Sequence, residues 1–133
     1  MEEALRALLL AGLPDMTAER VNWGSHPQDT PTSDAPIYIV LHLVGLNRGR
    51  TQQGSDGVDT YRVQIDAYAP GFITARDLGT GIINHLDFHR GGGFEAIFFD
   101  TARLTREGGG NPGDGLYRAS LDFIIHWRTS HAG

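Results

Sequence analysis

His85 and His89 stand four residues apart in a stretch of helical period, a spacing at which two imidazoles on one helix face can share a metal ion. Asp87 lies between them but off that face, and no glutamate follows His85, where a metalloprotease helix would place its general base. The plainer role is a helix end, where imidazole suits the negative pole of the dipole. Ser25-His26 and scattered aspartates supply the residue types of a nucleophilic triad, without the Gly-x-Ser-x-Gly turn that would expose the serine. Gly91-Gly92-Gly93 and Gly108-Gly109-Gly110 are glycine-rich, yet neither leads into Gly-Lys-Ser/Thr, so neither reads as a phosphate-binding loop. Asp56 and Asp59 are paired carboxylates in a polar stretch with nothing to raise a pKa. These patterns assign no catalytic residue, no cofactor and no metal ligand, and the sequence reads as a non-enzyme.

A different set of residues suits docking. Arg48, Arg50, Asp56 and Asp59 share the polar stretch 47–57, while Arg103 and Arg106 precede a second stretch, 107–115, that contains Glu107 and Asp114. Both stretches exceed the two to five residues usual in a hairpin loop, and long loops in a compact domain tend to be functional or disordered. They carry both signs of charge, which suits contact with another copy of the chain. Being too polar and Gly-rich to bury an apolar face, they are expected to be mobile in a free subunit and ordered in an assembly. These eight residues are the assembly-interface candidates.

The elements that must position them follow from periodicity. Leu5, Leu8 and Leu9 mark one face of an opening helix over residues 2–11, with Glu2 and Glu3 at its positive end and Gly12 and Pro14 as a stop. Val21-Asn22-Trp23 has the composition of a short strand, and residues 24–36, with three prolines, read as a loop. Residues 37–46 are apolar on both faces and predict a central strand, or one covered on both sides. Residues 58–68 alternate, with Tyr61, Val63, Ile65 and Ala67 on the inner face. Thr74 with Asp77 resembles a capping box, and Ala75, Leu78, Ile82 and Leu86 trace a second helix as far as about Phe88. Gly79 and Gly81 lie within it, which predicts close packing against a sheet. Residues 94–106 and 116–128 are two further strands; Tyr117, Ala119, Leu121, Phe123, Ile125 and Trp127 form one apolar face of the last. The expected fold is α+β, in helix-hairpin-helix-hairpin order: a four-stranded antiparallel sheet with two helices packed on one face.

Composition sets the outer limits. The chain has 133 residues and no cysteine, which fits one domain spanning residues 1–133 and removes disulfide and thiolate chemistry. Sixteen acidic residues against eleven basic ones give a net charge of −5, the wrong sign for a general nucleic-acid binder. All the basic residues are arginine. No apolar run approaches the roughly 18 residues of a membrane span, and Met1-Glu2-Glu3 is acidic where a signal peptide would be basic. A protein assembled in the cytosol is expected.

The opening Met-Glu-Glu-Ala-Leu-Arg-Ala-Leu-Leu-Leu, the strand entry Ala35-Pro36-Ile37-Tyr38-Ile39-Val40, the strand Val63-Gln64-Ile65-Asp66-Ala67-Tyr68-Ala69 with Ala75-Arg76-Asp77-Leu78 after it, and the closing Gly115-Leu116-Tyr117-Arg118-Ala119-Ser120-Leu121-Asp122-Phe123 occur in this order. Together they resemble the tail-completion, or tail-terminator, proteins of long-tailed phages and gene transfer agents. The resemblance covers nearly the whole chain and rests on structural motifs, not catalytic ones. It implies a homo-oligomer, a hexameric ring at the head-proximal end of the tail tube in a virion or phage-like particle. Such a ring stops tube growth and joins the tail to a head-side connector or stopper protein. Its partners are then the tube protein and that connector, with DNA passing through the lumen without specific binding and no membrane involved. Two alternatives remain at this stage: another head–tail connector or minor tail component, and a small-ligand-binding α+β domain.

Overall fold

Leu5 and Leu9 are one turn apart and fully buried, which anchors the first helix, α1 (Glu2–Ala11). The computed structural model describes residues 1–14, 16–24, 37–51, 54–107 and 116–128, and only the backbone of 49–51, 54–56 and 107. A single 3-10 turn (Ala18–Arg20) leads into β1 (Val21–Trp23). Two long hairpin strands follow, β2 (Tyr38–Thr51) and β3 (Gly54–Ala69), then α2 (Phe72–Leu86), β4 (Phe94–Glu107) and β5 (Leu116–Arg128).

The sheet has five strands, in the order β1-β2-β3-β5-β4, and it is mixed: β1 runs parallel to β2, with Val21 opposite Ile39 and Trp23 opposite Leu41. This corrects the expected four-stranded antiparallel sheet, although the α+β class holds. Three residues are too short a run to declare a partner in sequence, and the parallel pairing joins strands separated by fourteen residues of sequence, 24–37. Tertiary contacts place the strand. The Arg6 guanidinium donates to Val21 O at 2.8 Å and to Ala18 O at 2.6 Å, and Trp23 Nε1 donates to Glu2 O at 3.1 Å. α1 thus carries β1 against the edge of β2.

Both helices feed one core. Leu5 and Leu9 from α1 and Ile82 and Leu86 from α2 join Ile39, Leu41, Val63, Ile65, Ala67, Ala119, Leu121, Phe123 and Ile125 in a single buried cluster. The alternation read in β3 and β5 is the observed one; Leu8 and Leu78, also expected inside, are partly buried at its margin. His85 ties the helices together, its Nε2 sitting 2.7 Å from Leu8 O with the ring laid against Gly12, where any side chain would collide with it.

Several boundaries differ from expectation. β2 is covered on both faces only at its start, where Ile39, Val40 and Leu41 are buried, whereas Leu43, Val44 and Leu46 are exposed. The stretch 47–57 is not a long loop, because the ladder continues through Arg48–Asp59, Arg50–Ser55 and Thr51–Gly54. Residues 108–115, and with them most of the second expected loop, lie outside the described residues, as do Ser25 and His26. α2 starts at Phe72 with Gly71 as N-cap and no side-chain cap, so Thr74 and Asp77 do not form the capping box.

The two helical glycines prove different. A Cβ at Gly79 would meet the Ala119 Cβ at 3.1 Å, the close helix–sheet packing expected, whereas one at Gly81 would meet nothing within 4 Å. Gly81→Ala should therefore stabilise the fold by about 0.5–1 kcal/mol through helix propensity and a less flexible unfolded chain. An unchanged or lower denaturation midpoint would show that position 81 is more constrained than its surroundings indicate.

Candidate functional site

The helix-free face of the sheet and the two hairpin ends hold the polar side chains that the core does not use. Since β3 and β5 are antiparallel, with Val58 opposite Arg128 and Ala69 opposite Tyr117, the β2–β3 end and the β4–β5 end lie at opposite ends of the sheet. Arg48 and Asp59 pair across β2 and β3 at one end, and Asp59 is flanked on its other side by Trp127. Arg103 lies opposite Ser120, and Arg106 opposite Tyr117, toward the other end. At roughly 3.3 Å per residue along β5, the rows of Asp59 and Arg103 are separated by more than 20 Å. The structure therefore brings Arg48 and Asp59 together and holds Arg103 and Arg106 apart from them. The backbones of Arg50, Asp56 and Glu107 lie in β2, β3 and β4; Asp114 is outside the described residues.

Asp59 is nearly buried, and its charge is felt next door. Burial pushes the Tyr61 phenol above its ordinary pKa, the Asp59 and Glu2 carboxylates push the same way, and Arg48 opposes them. The folded chain thus holds this proton more tightly than the unfolded chain does. Stability from Tyr61 is complete at neutral pH and should be lost as pH rises past the unfolded phenol value of about 10 toward the higher folded value. Tyr61→Phe should flatten that alkaline decline. Identical pH profiles of the denaturation midpoint for the two proteins would exclude the coupling.

Between the two ends, the open face is a lattice of short polar contacts. Arg62 Nη1 lies 3.2 Å from Asp100 Oδ2, and Thr101 Oγ1 donates to Asp122 Oδ2 at 2.9 Å. Thr60 Oγ1 and His126 Nδ1 are 3.0 Å apart. Asp66, which the alternation placed on the solvent face, is only 2% exposed. It receives Gln64 Nε2 at 2.9 Å and faces His42 Nε2 at 3.2 Å. The alternation correctly gave its face; its burial comes from neighbouring strands that no local pattern reveals. Tyr38 and Tyr68 stack at 4.6 Å near the same row.

Sequence reasoning missed the apolar part of this surface. Phe88, just past α2, is 73% exposed. It meets Phe98 edge-on at 5.9 Å, and Phe98 in turn meets His126 at 5.8 Å. The helical period continued as far as Phe88 and so hid it as a helix residue. Its backbone is left-handed, with φ 65°, and is held there because its N–H donates to Ile97 O at 2.7 Å while Asp87 Oδ1 accepts from Phe99 N at 2.9 Å.

The arrangement lends itself to contact more than to catalysis. His85 is engaged with Leu8 and the His89 ring meets Phe94 edge-on, so the two imidazoles have separate duties. Among the described residues no group of three or more His, Cys, Asp or Glu could hold a metal ion, and no helix is long and apolar enough to cross a membrane. Among the described residues, three of the clefts have volumes of about 170, 270 and 240 Å³, each below the roughly 300–1,000 Å³ of ordinary small-molecule sites.

Comparison with known proteins agrees with this. A chain in the solved structure described as "Virion of native gene transfer agent (GTA) particle" has the same fold, with a TM-score of 0.64 at 16% sequence identity over 93% of this chain and 94% of that one. No curated protein sequence matches. Residues 3–128, almost the full length, match the family described as "Tail completion protein gp17". The chain belongs to this tail-completion family, which makes it a structural protein of a phage-type tail.

Proposed function

We propose that this protein is the tail terminator of a phage-like particle: copies of the chain form a hexameric ring at the head-proximal end of the tail tube, stop tube growth and present the joint to the head connector. The observation that supports this reading is the placement of Arg48 and Asp59 at one end of the sheet and of Arg103 and Arg106 toward the other. A terminator must meet a tube on one side and a connector on the other, and a subunit with two separate polar ends is suited to do both. A ring in which one face of a copy meets a different face of the next is a closed heterologous assembly. The net charge of −5 per subunit suits a lumen that lets DNA pass without gripping its phosphates. The fold shared with a chain of a gene transfer agent virion supports a place in such a particle.

The assembly candidates divide accordingly, with Arg48, Arg50, Asp56 and Asp59 serving one end and Arg103, Arg106, Glu107 and Asp114 serving the other. Single exposed ion pairs contribute little, but a ring repeats them around its circumference. Replacing Arg48 and Arg50 together with Gln, which sets no like charge opposite Asp59, should leave the chain folded and reduce the yield of tailed particles at least tenfold. The measurement is a melting curve on the purified variant beside a particle count by negative-stain microscopy. A stably folded double variant with normal particle yield would remove this end from the contact. Particles made without the protein should show over-long or headless tails, and normal tails there would sink the terminator reading itself.

A further inference from the structure

Two exposed apolar patches lie at opposite edges of the sheet, in the same sheet row. On one edge, β1 pairs with β2 only from Ile39 to Leu41, and among the described residues no strand covers β2 beyond that point. The uncovered length carries Leu43, Val44 and Leu46, 46%, 55% and 43% exposed, and a register shift between Leu43 and Gly45 turns Val44 out of the ladder. An open, apolar strand edge is a template for association unless something covers it. On the other edge, Phe88 and Phe98 form an edge-on aromatic pair that projects from β4 and the segment after α2. Phe88 is a bulky residue kept in left-handed backbone by flanking hydrogen bonds, yet its ring points to solvent. Apart from its edge-on contact with Phe98, the exposed Phe88 ring adds nothing to the subunit's own packing, and such backbone outliers gather at functional positions.

The register relates the two patches. Gly45 stands opposite Arg62, Arg62 opposite Ile124, and Ile124 opposite Phe98, so a single row across β2, β3, β5 and β4 begins at the open edge and ends at the aromatic pair. We propose that the Phe88–Phe98 pair of one copy docks on the open Leu43–Val44–Leu46 edge of the next copy, and that this is the subunit contact of the ring. The occupant follows from placement. The two patches are of like chemistry, sit on opposite sides of one subunit, and lie at the same height along the strands. A contact that joins them moves from copy to copy sideways, with no displacement along the strand direction. Repeated about an axis parallel to the strands, such a contact has no rise, and it closes a ring when its rotation divides the full turn. A two-fold dimer would instead bring like patches together and leave the other pair bare.

This inference rests on the ring reading above and deepens it by naming the surfaces. The chain contains no cysteine, so two introduced thiols report on the contact without interference. β2 and β4 are three strand spacings apart, about 14 Å, which is beyond the Cα separation a disulfide can span within one subunit. In particles carrying Asn47→Cys with Arg90→Cys, exposed positions beside the two patches that leave Leu46 and Phe88 in place, mild oxidation should give a ladder of covalent multimers ending at the ring size, while each single variant should give no ladder. Phe88→Asn is the second measurement. Asparagine tolerates left-handed backbone better than phenylalanine, so this variant should melt at or above the wild-type temperature and yet reduce tailed particles at least tenfold. Tailed particles in which the double-cysteine variant forms no ladder, or a folded Phe88→Asn that assembles at the wild-type yield, would overturn the contact and leave the terminator reading standing. Normal tails in particles lacking the protein would overturn the terminator reading whatever the ladder shows.

Discussion

Phe123→Ala is expected to lower the stability of the fold by about 3–5 kcal/mol, the range for removing a fully buried aromatic ring. Phe123 is 0% exposed and is the largest fully buried side chain among the described residues. On β5 it is flanked by Val63 on β3 and by Phe99 on β4, whose ring meets its own at 5.8 Å, and it belongs to the same cluster as Leu5, Leu9 and Ile82. Truncation removes contacts to both neighbouring strands at once, and a sheet braced by hydrogen bonds on either side of β5 cannot collapse to refill the space. Since small domains have only about 5–15 kcal/mol in total, the loss should be measured by denaturant titration at low temperature, where some of the variant remains folded. Phe123→Leu keeps most of the volume and should fall between the two. A loss below about 1 kcal/mol for the alanine variant would mean that the core centres elsewhere.

Gly93→Ala should cost about 2–4 kcal/mol for an unrelated reason, combining backbone strain with overpacking. Gly93 has φ 97°, a conformation that an L side chain rarely adopts, and a Cβ built there would lie 2.5 Å from Cη2 of Trp127. The Trp127 ring has little room to retreat because it packs edge-on against Phe94 at 4.9 Å. Gly93 O also accepts the backbone N–H of Arg128 at 2.9 Å, so any backbone shift that relieves the clash disturbs the end of β5. The same substitution at Gly91, also at positive φ but with nothing within 4 Å of its Cβ position, should cost less. Comparing the two melting curves separates strain from overlap, and equal losses would assign the whole cost to the backbone.

Much of the fold was legible. The bounds Glu2–Ala11 and Leu116–Arg128 match the expected α1 and β5, because an uninterrupted period of either kind is a local property of the chain. The inner faces of β3 and β5 were equally plain. The continuation of β2 and β3 through the polar stretch 47–57 was not, because cross-strand pairing can hold residues of low strand propensity in a ladder once the apolar part of the hairpin has set the register. For the candidate site, residue types were readable but positions were not. Arg48 and Asp59, eleven residues apart in sequence, become direct neighbours only through the β2–β3 register. Phe88 looked like the last turn of a helix and is instead an exposed ring beside β4.

The sequence by itself determined the α+β class, the two amphipathic helices, the apolar faces of β3 and β5 and, through the order of its motifs, the family. Those properties depend on neighbours within a few residues, or on the chain as a text. Tertiary structure alone decided that β1 joins the sheet in parallel, that the two hairpin ends point in opposite directions, that Asp66 is buried on the open face, and that two apolar patches share one row at opposite edges. Each of these depends on which strand lies beside which, and that is settled by α1 docking through Arg6 and Trp23 and by the pairing of β3 with β5. The packing of a common core selects those partners across long sequence separations, where no local periodicity reaches.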